Sequence, residues 1–189
     1  MMGNRGGALH NDQRVIVRQF KGIRWITCLL EFRGRRRSVM SPGRYTELFF
    51  LDEAVSFAAG HRPCAECRRE SFNAFQHAWQ RAHLKTGEDP PLASEIDVEL
   101  HRARIDSRGR KVTWSAPLAT LPDGCFVQIN GVSYLVMGDK LLQWSPGGYI
   151  QKRHRPTDLT VRVLTPEPIV GCIRQGYGPA VHASANAIT

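Results

Sequence analysis

The chain has 189 residues, of which 42% are hydrophobic and 23% charged, and a formal net charge of +9. That length and balance suit one or two folded domains and exclude the disordered, collagenous and coiled-coil classes. No run approaches the ~20 apolar residues of a membrane helix, and residues 1–7 lack the apolar core of a secretion signal, so a cytoplasmic chain with no membrane partner is expected.

Residues 15–20 and 23–32 are predicted as strands, the second rich in β-branched and aromatic side chains, and Gly34-Arg35 is predicted to turn the chain into a third strand at 36–40. Ser41-Pro42-Gly43 breaks the pattern. A short helix is expected over 51–59, with Asp52 near its start and Gly60 at its stop. Pro63 suits the first turn of a second helix running to about His83, with Phe72, Phe75, Trp79 and Ala82 on its inner face. Ser94 and Asp97 stand at capping-box separation before a third helix to about Ile105, with Ile96, Leu100 and Ala103 inward. Beyond Lys111 short apolar runs alternate with turn signals. Asn130-Gly131 marks a hairpin between 125–129 and 132–137, Gly138-Asp139 turns the chain into 140–144, and Ser145-Pro146-Gly147-Gly148 closes this meander. A further strand is expected at 159–164, and residues 176–189 read as a loosely held tail.

The charge is unevenly placed. Residues 1–44 hold ten Lys/Arg against two acids, residues 45–110 nine against eleven, and residues 111–189 seven against four. The basic first quarter includes Arg14, Arg18, Arg24, Arg33, Arg35, Arg36 and Arg37, interleaved with Phe20, Trp25, Phe32 and Tyr45, and Arg62 and Arg68 flank the cysteine pair. Guanidinium forks bind phosphate bidentately and rings stack on bases, so this set is the candidate nucleic-acid surface; the same arginines also suit a merely solvated face.

Five cysteines, at 28, 64, 67, 125 and 172, are too sparse for a disulfide framework. Cys125 and Cys172 are isolated and read as core thiols. The two-residue gap between Cys64 and Cys67 lets both sulfurs face one point, which serves a zinc ion, a redox dithiol or a lone reactive thiolate. Zinc needs further ligands. Cys28 on its strand, His10 in the glycine-rich arm and His61 beside the pair are the candidates, whereas His77 and His83 lie far along the second helix.

The run Phe49-Phe50, Ala54, Ala58-Ala59-Gly60, Arg62-Pro63-Cys64 and Cys67-Arg68 resembles the second half of the zinc-binding domain of Ada-type DNA repair proteins, over residues 49–68. The resemblance implies zinc as cofactor, DNA as partner, and Cys64 and Cys67 as the second pair of a four-cysteine site. Upstream the family has two more cysteines, one of them the methyl acceptor, where this chain offers only Cys28, so methyl-transfer repair does not carry over. His61 stands where the family has an aromatic residue, which makes packing its first reading.

The expected fold is α+β, with N-terminal antiparallel strands, central helices and a C-terminal antiparallel meander, divided into residues 1–110 and 111–189 or merged into one domain. The expected function is a zinc-binding, nucleic-acid-associated protein with a structural metal site. The alternative is an enzyme that uses an open zinc position or the Cys64 thiolate on a nucleic acid or small substrate.

Overall fold

A computed structural model describes residues 1–35 and 38–188. Its N-terminal sheet is built from four short strands, β1 (Met2–Arg5), β2 (Trp25–Cys28), β3 (Leu48–Phe49) and β4 (Arg62–Pro63), in the order β3-β1-β2-β4. β1 runs antiparallel to β2 and β3, while β4 lies parallel to β2, with Ile26 opposite Arg62 and Thr27 opposite Pro63. Side chains alternate across such a sheet. Met2, Asn4, Ile26 and Cys28 line a cleft on one face, and Gly3, Arg5, Trp25 and Thr27 belong to the other. Gly3 is required where it stands, because a Cβ there would lie 2.5 Å from the Phe50 ring and 3.3 Å from His61.

This opening differs from the sequence expectation. The strand β1 lies in a segment with no strand-like composition, and the apolar run at 15–20 forms only an isolated bridge between His10 and Ile16. Val15, Ile16 and Val17 are each more than half exposed, so β propensity without a neighbouring ladder made no strand. The strand expected over 23–32 contracts to four residues. Of the third expected strand, residues 36 and 37 lie outside the described residues, and Ser38, Val39 and Met40 are not in a strand, Met40 having φ +54°.

Helix α1 (Glu53–Ala58) starts where the Asp52 carboxylate accepts from the Val55 N–H at 2.8 Å, and it stops at Gly60, whose φ of +81° suits glycine. Pro63 is in β4, not in a helix, and α2 (Arg69–His83) begins only after the cysteine turn. α2 buries Phe72, Phe75 and Trp79 as its spacing predicts. α3 (Ala93–Arg104) buries Ile96 and Leu100. Its start is closed by the Glu95 side chain, which accepts from the Leu92 N–H at 2.7 Å. Asp97 takes no part in that cap, because it turns inward to Arg62.

The C-terminal sheet holds β5 (Trp114–Pro117), β6 (Phe126–Ile129), β7 (Val132–Met137), β8 (Lys140–Ser145), β9 (Gly148–His154) and β10 (Thr160–Val163), antiparallel throughout in the order β5-β10-β6-β7-β8-β9. Asn130 and Gly131, at φ +51° and +81°, make the predicted hairpin turn. The 145–148 segment turns the chain into β9 where an end to the meander was expected. Helices α4 (Glu167–Arg174) and α5 (Ser184–Ala187) complete the order. One face of this sheet packs Val127, Val136, Leu141 and Val163 against Phe57, Phe75, Trp79, Ile96, Leu100 and Ile169, so one core draws on both halves of the chain. The other face gathers Phe126, Leu135, Leu142 and Tyr149 around Ala54.

The tail is held where looseness was expected. Tyr177 is buried against the Phe57 and Phe75 rings and donates its hydroxyl hydrogen to Glu53 at 2.8 Å. The backbone N–H groups of Ala180 and His182 donate to Glu53 and Asp52, each at 3.0 Å. Among the described residues no helix is long and apolar enough to cross a membrane.

Candidate metal centre

The parallel pairing of β4 with β2 fixes the heart of the site. With Thr27 opposite Pro63, the next residues, Cys28 and Cys64, fall beside each other, and the Cys64 N–H donates to the Thr27 carbonyl at 3.0 Å. Residues 65–68 then make a turn closed by the Arg68 N–H on the Cys64 carbonyl at 3.1 Å, which returns Cys67 to the same point. The sulfurs of Cys28, Cys64 and Cys67 all lie within 4.8 Å of one another. Two thiolates at ~2.3 Å from a tetrahedral ion stand about 3.8 Å apart, so the cluster suits one. The thiols are free of disulfides.

The backbone adds donors to these sulfurs. The Glu66 N–H points to Cys64 Sγ and the Leu29 N–H to Cys67 Sγ, both at 3.4 Å. Such bonds stabilise thiolate over thiol. Cys64 is pushed down to about 5, chiefly by the hydrogen bond from Cys28 and then by the backbone N–H groups of Cys67 and Glu66, against the effect of burial. Cys28 moves the other way, because it gives its hydrogen to Cys64 and is partly buried. Burial also raises Cys67. These shifts favour the thiolate form at Cys64 over either of its two neighbours.

The three cysteines open into a cleft of about 930 Å³ lined also by Met2, Asn4, Phe32, Arg33, Arg35, Tyr45 and Glu47. Arg33 and Arg35 lie over the Phe32 ring, at 5.0 and 5.3 Å, and Arg35 pairs with Glu66 at 2.6 Å. Asn4 and Glu47 carried no sequence signal; Asn4 stands in β1, and Glu47 directly precedes β3, which pairs with β1.

The remaining candidates fall elsewhere. His10 is engaged at both ring nitrogens, Nδ1 with the Thr46 hydroxyl at 2.5 Å and Nε2 with the Ser41 carbonyl at 3.3 Å, so it holds a loop and is not in the cysteine cluster. His61 is fully buried among Trp25 and Phe50 on the sheet face opposite Cys28, and it too is outside the cluster. Burial and the nearby Arg5 and Arg104 charges hold its imidazole well below its ordinary pKa and hence neutral. Geometry thus corrects the candidate ligand role of both histidines, and the buried ring of His61 agrees with packing as its first reading.

Of the arginines, Arg14, Arg18, Arg24, Arg33 and Arg35 are exposed, and Arg36 and Arg37 lie outside the described residues. Arg62 and Arg68 are buried and do not join that surface. Arg62 grips Asp97 through two bonds, at 2.9 and 2.7 Å, and Arg68 pairs with Glu53 at 2.7 Å. These pairs tie the cysteine turn to α3 and α1. Cys125 and Cys172 are core residues, as their isolation suggests.

Comparison with protein-family models, with curated proteins and with solved structures finds no match to this chain.

Proposed function

We propose that this chain is a zinc-binding, nucleic-acid-associated protein of a reducing, cytoplasmic setting, in which the metal fastens the cysteine turn to the first sheet. The observation that carries this reading is the meeting of Cys28 with Cys64 and Cys67 from segments far apart in sequence, with backbone N–H groups aimed at two of the sulfurs. Three thiolates and a thiolate-stabilising shell are a donor set for a soft or borderline ion, and zinc is the common one. The Ada-type resemblance of residues 49–68 independently suggests the same ion. Binding free energy at such a site is folding free energy.

Nucleic-acid association is supported by the exposed Arg14, Arg18, Arg24, Arg33 and Arg35 and by the excess of basic over acidic residues in the first 44. Their contribution is to backbone affinity, which weakens with salt. Metal analysis of protein purified without chelator should return one zinc per chain, and duplex or single-stranded DNA should bind with an affinity that falls as salt rises. Absence of zinc refutes the first part, and binding that ignores salt refutes the second.

A second reading is favoured by the cleft itself, since three protein ligands leave a fourth direction open toward some 930 Å³ of space. It is an enzyme acting there through an open metal position or the Cys64 thiolate. Cys64→Ser separates a metal site from a reactive thiolate: loss of metal and thermal stability together marks the metal site, whereas lost thiol reactivity in a chain of unchanged stability marks the thiolate, and a hydrolytic activity that zinc restores to chelated wild type marks the open metal position.

A further inference from the structure

A second cavity, of about 300 Å³, lies on the opposite face of the first sheet, where Arg5 and Trp25 meet the ends of α1 and α3 and the C-terminal sheet. That size is at the low end for small-molecule sites. Its cations are Arg5, Arg104 and Lys111, and among the described residues none of those lining it is acidic. The carboxylate whose charge acts on Arg104 is Asp97, and Arg62 already takes both of its oxygens.

Three buried donors on the lining residues find no hydrogen-bond partner among the described residues: Arg5 Nε, Arg104 Nε and Trp144 Nε1. Buried donors left unpaired are costly, more so when charged, and they mark this wall as short of acceptors. Both guanidiniums are held in place, over the Trp25 ring at 4.1 Å for Arg5 and 4.2 Å for Arg104. Arg104 also donates to the carbonyls of Gly60 and Ile23, and Lys111 donates to that of Ala58. Lys111 is exposed as a residue, yet protein crowds its ammonium enough that desolvation, with Arg5 adding, lowers it to about 8. The site is positively charged and fixed before any ligand enters.

We propose that this cavity binds a small organic anion with a flat apolar body, its charge facing Arg5, Arg104 and Lys111 and its body lying beside Trp144 and Phe126. Aromatic walls with convergent cationic donors match an anionic head joined to a ring, which an aromatic carboxylate and a nucleoside monophosphate share. The site is separate from the cysteine cluster and does not depend on its metal.

The test is thermal shift and calorimetry on the full chain with benzoate, a nucleoside 5′-monophosphate, the uncharged nucleoside and inorganic phosphate, at ionic strength held constant with chloride. Benzoate or the monophosphate should raise Tm by roughly 5 °C or more at a hundredfold excess over Kd, and the uncharged nucleoside should not. Which of the two binds identifies the source of the anion. Lys111→Met removes one of the three cations together with its bond to the Ala58 carbonyl and should weaken binding about tenfold, read against the variant's own unliganded Tm, and Trp144→Phe should weaken it severalfold by cutting back the aromatic wall. Two results overturn the proposal. One is no response to either organic anion; the other is a shift that phosphate produces equally and that Lys111→Met and Trp144→Phe leave unchanged.

Discussion

Cys28 and Cys64 are neighbours because the strand that ends in one lies parallel to the strand that leads into the other, with the Cys64 N–H on the Thr27 carbonyl. Parallel neighbours need a long connection, and here it contains β3 and α1. A metal ion bound by both cysteines would close that connection.

Removing the ion should therefore loosen the fold. With zinc at a hundredfold over its Kd the contribution is about 2.7 kcal/mol, so chelation should lower Tm by roughly 5–10 °C. Cys28→Ser or Cys67→Ser should bring the untreated protein to the chelated value and make it insensitive to chelator. Differential scanning calorimetry with and without chelator checks this.

The buried Arg62–Asp97 pair ties β4, which leads into the cysteine turn, to α3. Desolvation pushes the Asp97 carboxyl up, against the pull of Arg62. Asp97→Asn should destabilise by about 3–5 kcal/mol, because it leaves Arg62 buried and uncompensated, whereas Arg62→Met with Asp97→Leu should recover most of that loss. Denaturant titration of the single and double variants measures both.

His61 contributes a pH dependence that can be isolated. Its ordinary pKa is 6.5 and the folded chain holds it well below that, so the unfolded chain takes up the proton first as pH falls. The stability due to this group is complete above about pH 6.5 and declines below it. Wild type should lose up to ~1.4 kcal/mol per pH unit relative to His61→Phe in that range, and the difference should be flat above pH 7. Unfolding curves for both proteins, with the cysteines identical, isolate the imidazole from acid release of metal.

Tyr177 binds the tail to the core. Tyr177→Phe keeps the ring between Phe57 and Phe75 and removes only the hydroxyl that donates to Glu53. A loss of about 1–3 kcal/mol is expected, with proteolysis of residues 178–188 becoming faster. Limited proteolysis with a stability measurement checks it.

Local chemistry in the sequence revealed some of these features and concealed others. Asn130-Gly131 dictates its own hairpin, and Phe72, Phe75 and Trp79 mark the inner face of α2 whatever surrounds them. The paired cysteines announce a site by spacing, and Cys28 joins it from a strand that could be recognised by composition. Features set by pairing at a distance stayed hidden. Met2–Arg5 is a strand only because β2 and β3 flank it. Pro63, a natural first-turn residue, is claimed by a parallel ladder. Arg62 and Arg68 looked like part of a basic surface because their partners, Asp97 and Glu53, are distant or unremarkable in sequence. His10 and His61 looked like ligands because sequence proximity does not say on which side of a sheet a ring will sit.

The alternation along β2 gives this small sheet a low tolerance for changes in length. Trp25 serves the cationic cavity on one side while Cys28 serves the sulfur cluster on the other, and β4 must match both. One residue inserted between Gly60 and Cys64 would rotate the thiol by half a turn and carry it through to the indole side, stranding Cys28 without its neighbour. The spacing of this segment is as much a part of the site as the sulfurs are.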